Sequence, residues 1–268
     1  MMEHHNPQRG QYPAKRPVMK KPSKGKATLG RSGGQKLDEL LGGGFPFQST
    51  VLVQGPAFMG KDILTAQFVA EGIKTGSPAM VVLTQNTTTQ FRKKVVEMDY
   101  KLEEHEKAGL VYYIDCYSKT VNLMGKNPYA VYLDGVADLG AIAKNLDRFQ
   151  SGFKGKFFYH RVIFDSLTTV LRTHGVNPTL SFVQNIIART KASNGIMLFD
   201  LVSGIHQPGE VTAIESMMDG SIQMKEEGGK HLLSVRGLPG VKTKDFLEFR
   251  FNEKGLDIVG IYSYNYIR

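Results

Sequence analysis

From residue 36 onward, short apolar runs alternate with amphipathic stretches. Thr50–Gln54, Ala79–Thr84, Leu110–Asp115, Phe157–Asp165 and Ile196–Val202 are each brief and mostly apolar. Runs of that length and composition predict strands buried on both faces, as in parallel sheets. Between them the apolar spacing widens to the helical period. Helices are expected over Ile63–Lys74, from the polar cap Gln85–Thr89 to about Met98, over Asp138–Gln150 and over Pro178–Ser193. A short amphipathic helix, Gln35–Leu41, ends at Gly42-Gly43-Gly44. Residues 117–137, with Gly125, Asn127 and Pro128, predict an irregular surface excursion. After about Glu215 the pattern turns to short strands with tight turns: Gly220–Glu226, His231–Arg236, Phe246–Asn252 and Asp257–Tyr262. The fold class expected is α/β, a mostly parallel sheet flanked by helices with C-terminal antiparallel hairpins. With no internal repeat, residues 36–268 are expected to form one domain.

Charge changes that picture only at the front. The chain carries a formal +9, but residues 1–35 hold eight Lys and Arg against Glu3 alone. The basicity therefore belongs to this segment and not to a face of the folded body. Residues 1–35 are rich in Pro, Gly, Lys and Arg and poor in large apolar side chains, which predicts a disordered basic tail. Such an arm can hold nucleic acid or another acidic partner by counterion release, or simply be solvated. Beyond Tyr12 it has no aromatic to stack on a base. No run reaches the roughly 18 apolar residues that span a bilayer, and no apolar segment follows the basic start as in a secretory signal. One cysteine, Cys116, excludes an intramolecular disulfide and suits a cytoplasmic protein.

The densest chemistry is Gly55-Pro56-Ala57-Phe58-Met59-Gly60-Lys61-Asp62-Ile63, between the first buried strand and its helix. It nearly matches the phosphate-binding loop G-x-x-x-x-G-K followed by Ser or Thr. Such loops turn backbone N–H groups inward at a helix N-terminus, while the lysine reaches the outer phosphates. Here Asp62 takes the hydroxyl position. A second signal is Asp165, ending the strand Val162-Ile163-Phe164, where nucleotide-hydrolysing enzymes of this type place an acid that helps hold Mg²⁺. ATP with Mg²⁺ is the expected cofactor pair, with Asp62 and Asp165 as the candidate metal positions.

Leu37-Asp38-Glu39-Leu40-Leu41-Gly42-Gly43-Gly44-Phe45-Pro46, running into this loop, resembles the entry to a KaiC-type domain of the RecA-like ATPases. Ile163-Phe164-Asp165-Ser166-Leu167 is similar to that family's second acidic motif, and Ser234-Val235-Arg236-Gly237 to its closing hairpins. The resemblance spans roughly residues 33–260 and implies a RecA-like fold, bound ATP and Mg²⁺, and a homo-oligomer or an assembly with related KaiC-like subunits, often a ring or filament with ATP between subunits. Three catalytic features depart from the family pattern. Asp62 replaces the neutral metal-binding hydroxyl; a like-charge pair at about 4 Å costs roughly 4 kcal/mol at an effective dielectric near 20. Gln85 and Asn86 stand where the family has glutamates that activate water, and an amide takes no proton as a base. Ser234 replaces the lysine of a trans-acting pair, leaving Arg236.

The expected function is therefore a KaiC-like, ATP-binding regulatory or assembly module with slow or absent hydrolysis. Alternatives are a working Mg-dependent ATPase using Asp62 as ligand and another acid as base, or a recombinase paralogue gripping DNA or RNA through the tail. Loss of nucleotide binding altogether is a further alternative. Lesser candidates have plainer readings. Cys116 and His160 suit the core, His105 with Glu103, Glu104 and Glu106 suits a solvated helix end, and Asp200 suits either a cap or the nucleotide edge of the sheet.

Overall fold

The computed structural model describes residues 29–99 and 101–259. The basic stretch 1–28 and the strand end expected at Tyr262 lie outside the described residues. Order begins before the expected boundary, because β1 (Leu29–Gly30) pairs antiparallel with β2 (Phe45–Pro46) around α1 (Gln35–Leu40). The first half continues with β3 (Thr50–Gly55), α2 (Lys61–Thr75), β4 (Ala79–Leu83), α3 (Thr88–Met98), α4 (Leu102–Lys107) and β5 (Val111–Asp115). Then come β6 (Ala130–Tyr132), α5 (Leu139–Phe153), β7 (His160–Asp165), α6 (Leu167–His174), α7 (Val176–Ala192) and β8 (Gly195–Val202). The chain closes with α8 (Pro208–Glu215), β9 (Gly220–Glu227), β10 (Lys230–Arg236), β11 (Leu247–Asn252) and β12 (Gly255–Ile258).

Ten strands form one sheet in the order β12-β11-β10-β9-β3-β8-β7-β4-β5-β6. β9-β3-β8-β7-β4-β5-β6 run parallel, and β9 to β12 pair antiparallel. This is the α/β architecture expected, with short elements added, among them the β1–β2 pair and α4. The 117–137 excursion contains a 3₁₀ turn at Ser118–Val121 and the edge strand β6, and α8 precedes the hairpins.

The strand runs are apolar throughout because helices cover both faces. Val51, Val53, Val81, Leu83, Ile163 and Leu198 face one core with α1, α2 and α3. Leu52, Met80, Val82, Val162, Phe164, Met197 and Phe199 alternate with them into the other core, under α5, α6 and α7. Asp115, at the end of β5, fixes the start of α3 by accepting from Thr88 N and Oγ1 at 2.8 and 2.7 Å. It also accepts from Tyr117 N, Ser118 N and Ser118 Oγ. Burial pushes its carboxyl up, but the Ser118 and Thr88 bonds outweigh this and hold it below the ordinary range. Glu106, expected to be solvated, is instead buried: Arg92 Nε donates to it at 2.7 Å and Tyr113 Oη at 2.8 Å.

The register aligns Gly55 with Val202 and Leu83 with Asp165. The carboxyl ends of β3, β4, β7 and β8 thus open on one edge, where open α/β sheets hold their ligands.

Candidate functional site

β3 delivers Gly55 into the loop, and α2 starts at Lys61. Gly60 adopts φ +74°, and a Cβ there would stand 2.3 Å from the Phe251 ring on β11. Conformation and space both require glycine. Gly55 is required by space, since its Cβ would meet Met224 Cβ at 2.9 Å. Phe58 projects fully into solvent from the loop tip, whereas Met59 is buried. Lys61 is 5% exposed and folds back into the loop, its Nζ donating to the carbonyls of Gly55 at 3.1 Å and Pro56 at 2.9 Å. The two carbonyls thereby hold the ammonium inside the loop.

Three acids gather at this edge of the sheet, Asp165 and Asp62 both acting electrostatically on Asp200. Asp200, on β8, puts Oδ2 3.8 Å from Lys61 Nζ. Its Oδ1 is buried with no hydrogen-bond partner among the described residues. Burial pushes its carboxyl up to about 7, opposed by the Lys61 charge. Of the two sequence readings of Asp200, the nucleotide edge is the one that the Lys61 contact favours. Asp165 is also buried and accepts from Gln85 Nε2 at 3.0 Å and Asn86 Nδ2 at 2.8 Å. Burial raises its pKa, and those two amides and the Lys94 charge partly offset the rise. Asp62, half-exposed at the start of α2, pairs through Oδ2 with Lys94 Nζ from α3.

The loop and Asp62, Gln85, Asn86 and Asp165 are therefore assembled at one sheet edge. Arg236 is not. It lies level with Ser221 on β9, which lies level with Leu52. That is three residues upstream of Gly55 on β3, or about 10 Å down the sheet. Arg236 is exposed there and does not reach its own chain's loop.

Lys94 and Phe251 were not visible as site residues in the sequence. The signal available for Lys94 was only the mismatch itself, an unneutralised Asp62 beside a phosphate loop. Its partner lies 32 residues on. His160 is buried and unpartnered at Nε2, and burial lowers it to about 4, so it stays neutral in the core.

As they stand, these residues do not fit a divalent cation. Mg²⁺ requires oxygen ligands in near-octahedral geometry. Asp62 is engaged by an ammonium and both Asp165 oxygens by amide N–H groups. Among the described residues, no group of three or more His, Cys, Asp or Glu gathers to hold a metal. The loop does fit an anion, since it holds a buried ammonium on bonds that phosphate oxygens can replace.

Asp200 gives a pH prediction. Its folded pKa, about 7, lies above the ordinary value near 4. The folded state keeps a proton there that the unfolded chain releases, so this stability is complete below about pH 4 and lost as pH rises through 7. Asp200→Asn, which is always neutral, is expected to match the wild type near pH 4 and exceed it by about 2–4 kcal/mol at pH 8. Urea midpoints across that range check it; a pH-independent difference contradicts it.

Comparison with known proteins adds the family. A family model described as "ATPase: KaiC" matches residues 30–259. A UPF0273 protein of Thermotoga maritima is 28% identical over 137 residues, covering 51% of this chain and 54% of that one. Its counterpart in Pyrococcus furiosus is 29% identical over 135 residues, covering 50% and 52%. The chain thus spans about half the length of these relatives. The circadian clock oscillator protein KaiC of Acaryochloris marina is 32% identical over 92 residues, 34% of this chain and 18% of that one. In fold, the crystal structure of a KaiC-like protein from Pyrococcus horikoshii superposes with a TM-score of 0.66 at 18% identity, covering 91% of this chain and all of that one. Among the described residues, no helix is long and apolar enough to cross a membrane. With residues 30–259 matched, well over half its length, the chain belongs to the KaiC family of ATPases.

Proposed function

We propose that this protein binds ATP, or a nucleotide like it, in the Gly55–Asp62 loop and cuts it slowly. Nucleotide occupancy then acts through assembly or partner contacts. The observation that carries this reading is the orientation of Gln85 and Asn86. Asp165 is a carboxylate acceptor, so both amides turn their N–H groups to it. What they leave for a water is a carbonyl oxygen, which orients it but takes no proton. General base catalysis contributes about 10² to 10⁴ in rate, and that contribution is missing at these two positions. In this reading Lys61 and the loop N–H groups bind the phosphates, Gly60 keeps the backbone open, and Arg236, exposed and away from its own loop, acts on a neighbouring copy. Asp62 and Asp165, the two candidate metal positions, are held by Lys94 and by Gln85 and Asn86, so the binding proposed here is carried by the loop and Lys61.

Equilibrium titration with a fluorescent ATP analogue and steady-state phosphate release test this together. Saturable binding with turnover below about 1 s⁻¹, the low end of ordinary enzymes, is expected. Turnover at or above that rate, or no binding at millimolar nucleotide, overturns it.

A second reading has one specific observation in its favour. Asp200, with its unpartnered oxygen and a pKa near 7, has the properties of a general base at neutral pH. In that case the protein is a working ATPase, and Asp200→Asn removes turnover while leaving nucleotide affinity within about threefold.

A further inference from the structure

The Asp62 substitution and the placement of Lys94 belong together. Asp62 occupies the position where a phosphate loop of this type puts a neutral hydroxyl for Mg²⁺. Across from it, α3 brings Lys94 onto Asp62 Oδ2. The ammonium thus occupies one of the two acids that would otherwise hold the metal. The other acid, Asp165, accepts at one oxygen from Gln85 and at the other from Asn86. A divalent ion entering here must displace an ammonium and two amides while giving up bound water, which Mg²⁺ does reluctantly.

We infer that this site binds the phosphates of a nucleoside di- or triphosphate without a divalent cation, with Lys94 supplying the positive charge that the metal supplies elsewhere. The inference rests on the nucleotide-binding reading above. An ammonium has three N–H donors. One meets Asp62 in the first turn of α2, and the Lys94 side chain is about one-third exposed, which leaves the others to solvent or to an incoming phosphate oxygen. Lys61 and Lys94 then grip the phosphate chain from the two helices, α2 and α3, that flank its entrance. Asp62 anchors Lys94 in place, so its negative charge is a positioning device and not an obstacle. An exposed ion pair of this kind is individually weak, so the ammonium is free to share itself with an incoming phosphate oxygen.

The test is a fluorescent-ADP titration of the full chain in EDTA and again in millimolar MgCl₂. The wild type is expected to bind in both, with dissociation constants within about threefold. Lys94→Gln is expected to lose at least about tenfold in EDTA, the scale of one charge-assisted hydrogen bond. It should recover most of that in MgCl₂, because Asp62 is then released to a metal. Lys94→Arg keeps the charge and is expected to stay within about threefold of the wild type in EDTA. Thermal unfolding of each variant shows whether it is folded. A wild type that binds only with MgCl₂, or a folded Lys94→Gln that binds in EDTA as the wild type does, overturns the inference and leaves the nucleotide reading standing. Absence of binding in both media overturns the nucleotide reading and this inference with it.

Discussion

Arg161→Met is expected to destabilise the folded domain by about 3–5 kcal/mol, the range for breaking a buried charged network. Arg161 is fully buried in β7. Its Nε donates to Ser77 Oγ at 2.8 Å, Nη1 to the carbonyls of Arg31 at 2.7 Å and Phe68 at 2.9 Å, and Nη2 to Tyr159 Oη at 2.9 Å. Its guanidinium carbon also lies 4.3 Å from the centre of the Phe68 ring. These bonds tie β7, α2, the turn before β4 and the segment after β1 into one node. Methionine fills the stem's volume but leaves two carbonyls, that of Phe68 buried, and two hydroxyls to find new partners, at about 1–3 kcal/mol for each buried group that fails. Arg161→Lys does little better, because a single ammonium does not span four acceptors held by a planar fork. The check is a urea unfolding curve, whose midpoint should fall with its slope unchanged. A loss under about 1 kcal/mol contradicts the node's importance.

Lys61→Ala is expected to weaken nucleotide binding at least about 100-fold, or close to 3 kcal/mol. Lys61 is the buried cation of the loop, and its bonds to the Gly55 and Pro56 carbonyls hold it where phosphate oxygens would arrive. Its removal also leaves Asp200 without the charge that opposes burial, so the Asp200 carboxyl rises further. That separates two effects in one experiment. Adding Asp200→Asn to Lys61→Ala should restore stability at pH 8 but not binding, because neutralising the acid does not replace the phosphate ligand. Titration of both variants with fluorescent nucleotide, beside their unfolding curves, decides it. Binding in Lys61→Ala within about fivefold of the wild type contradicts the loop's assigned role.

The part of this site visible in the sequence was the part encoded locally. Gly55, Gly60 and Lys61 lie in one strand-loop-helix unit, and Asp165 ends a continuous apolar run, so neighbours on the chain were enough to place them. The mostly parallel sheet was legible for the same reason, since strands buried on both faces must be apolar at every position. Short edge elements were not. β6 has three residues just after Pro128, too few to show a period, and α8 begins Pro208-Gly209, where helix propensity is poor. β1 hides in a glycine- and lysine-rich stretch and exists only because Phe45–Pro46 pairs with it. Burial of charge was also illegible. Glu106 looks solvated among Glu103, Glu104 and His105, and becomes a core residue only because Arg92 and Tyr113 converge on it from α3 and β5. Lys94 belongs to the same class: the sequence displayed Asp62 as an uncompensated charge, and its compensation arrived from another helix.

The most direct measurement is a single-turnover experiment, with the protein in excess over labelled ATP in MgCl₂ and acid quenches from a tenth of a second to an hour. With Gln85 and Asn86 turned to Asp165, bound ATP should remain largely intact at ten seconds and decay at a rate well below about 1 s⁻¹. Conversion of the bound ATP to ADP at about 1 s⁻¹ or faster would contradict the account, because it would require a general base that those two amides do not provide.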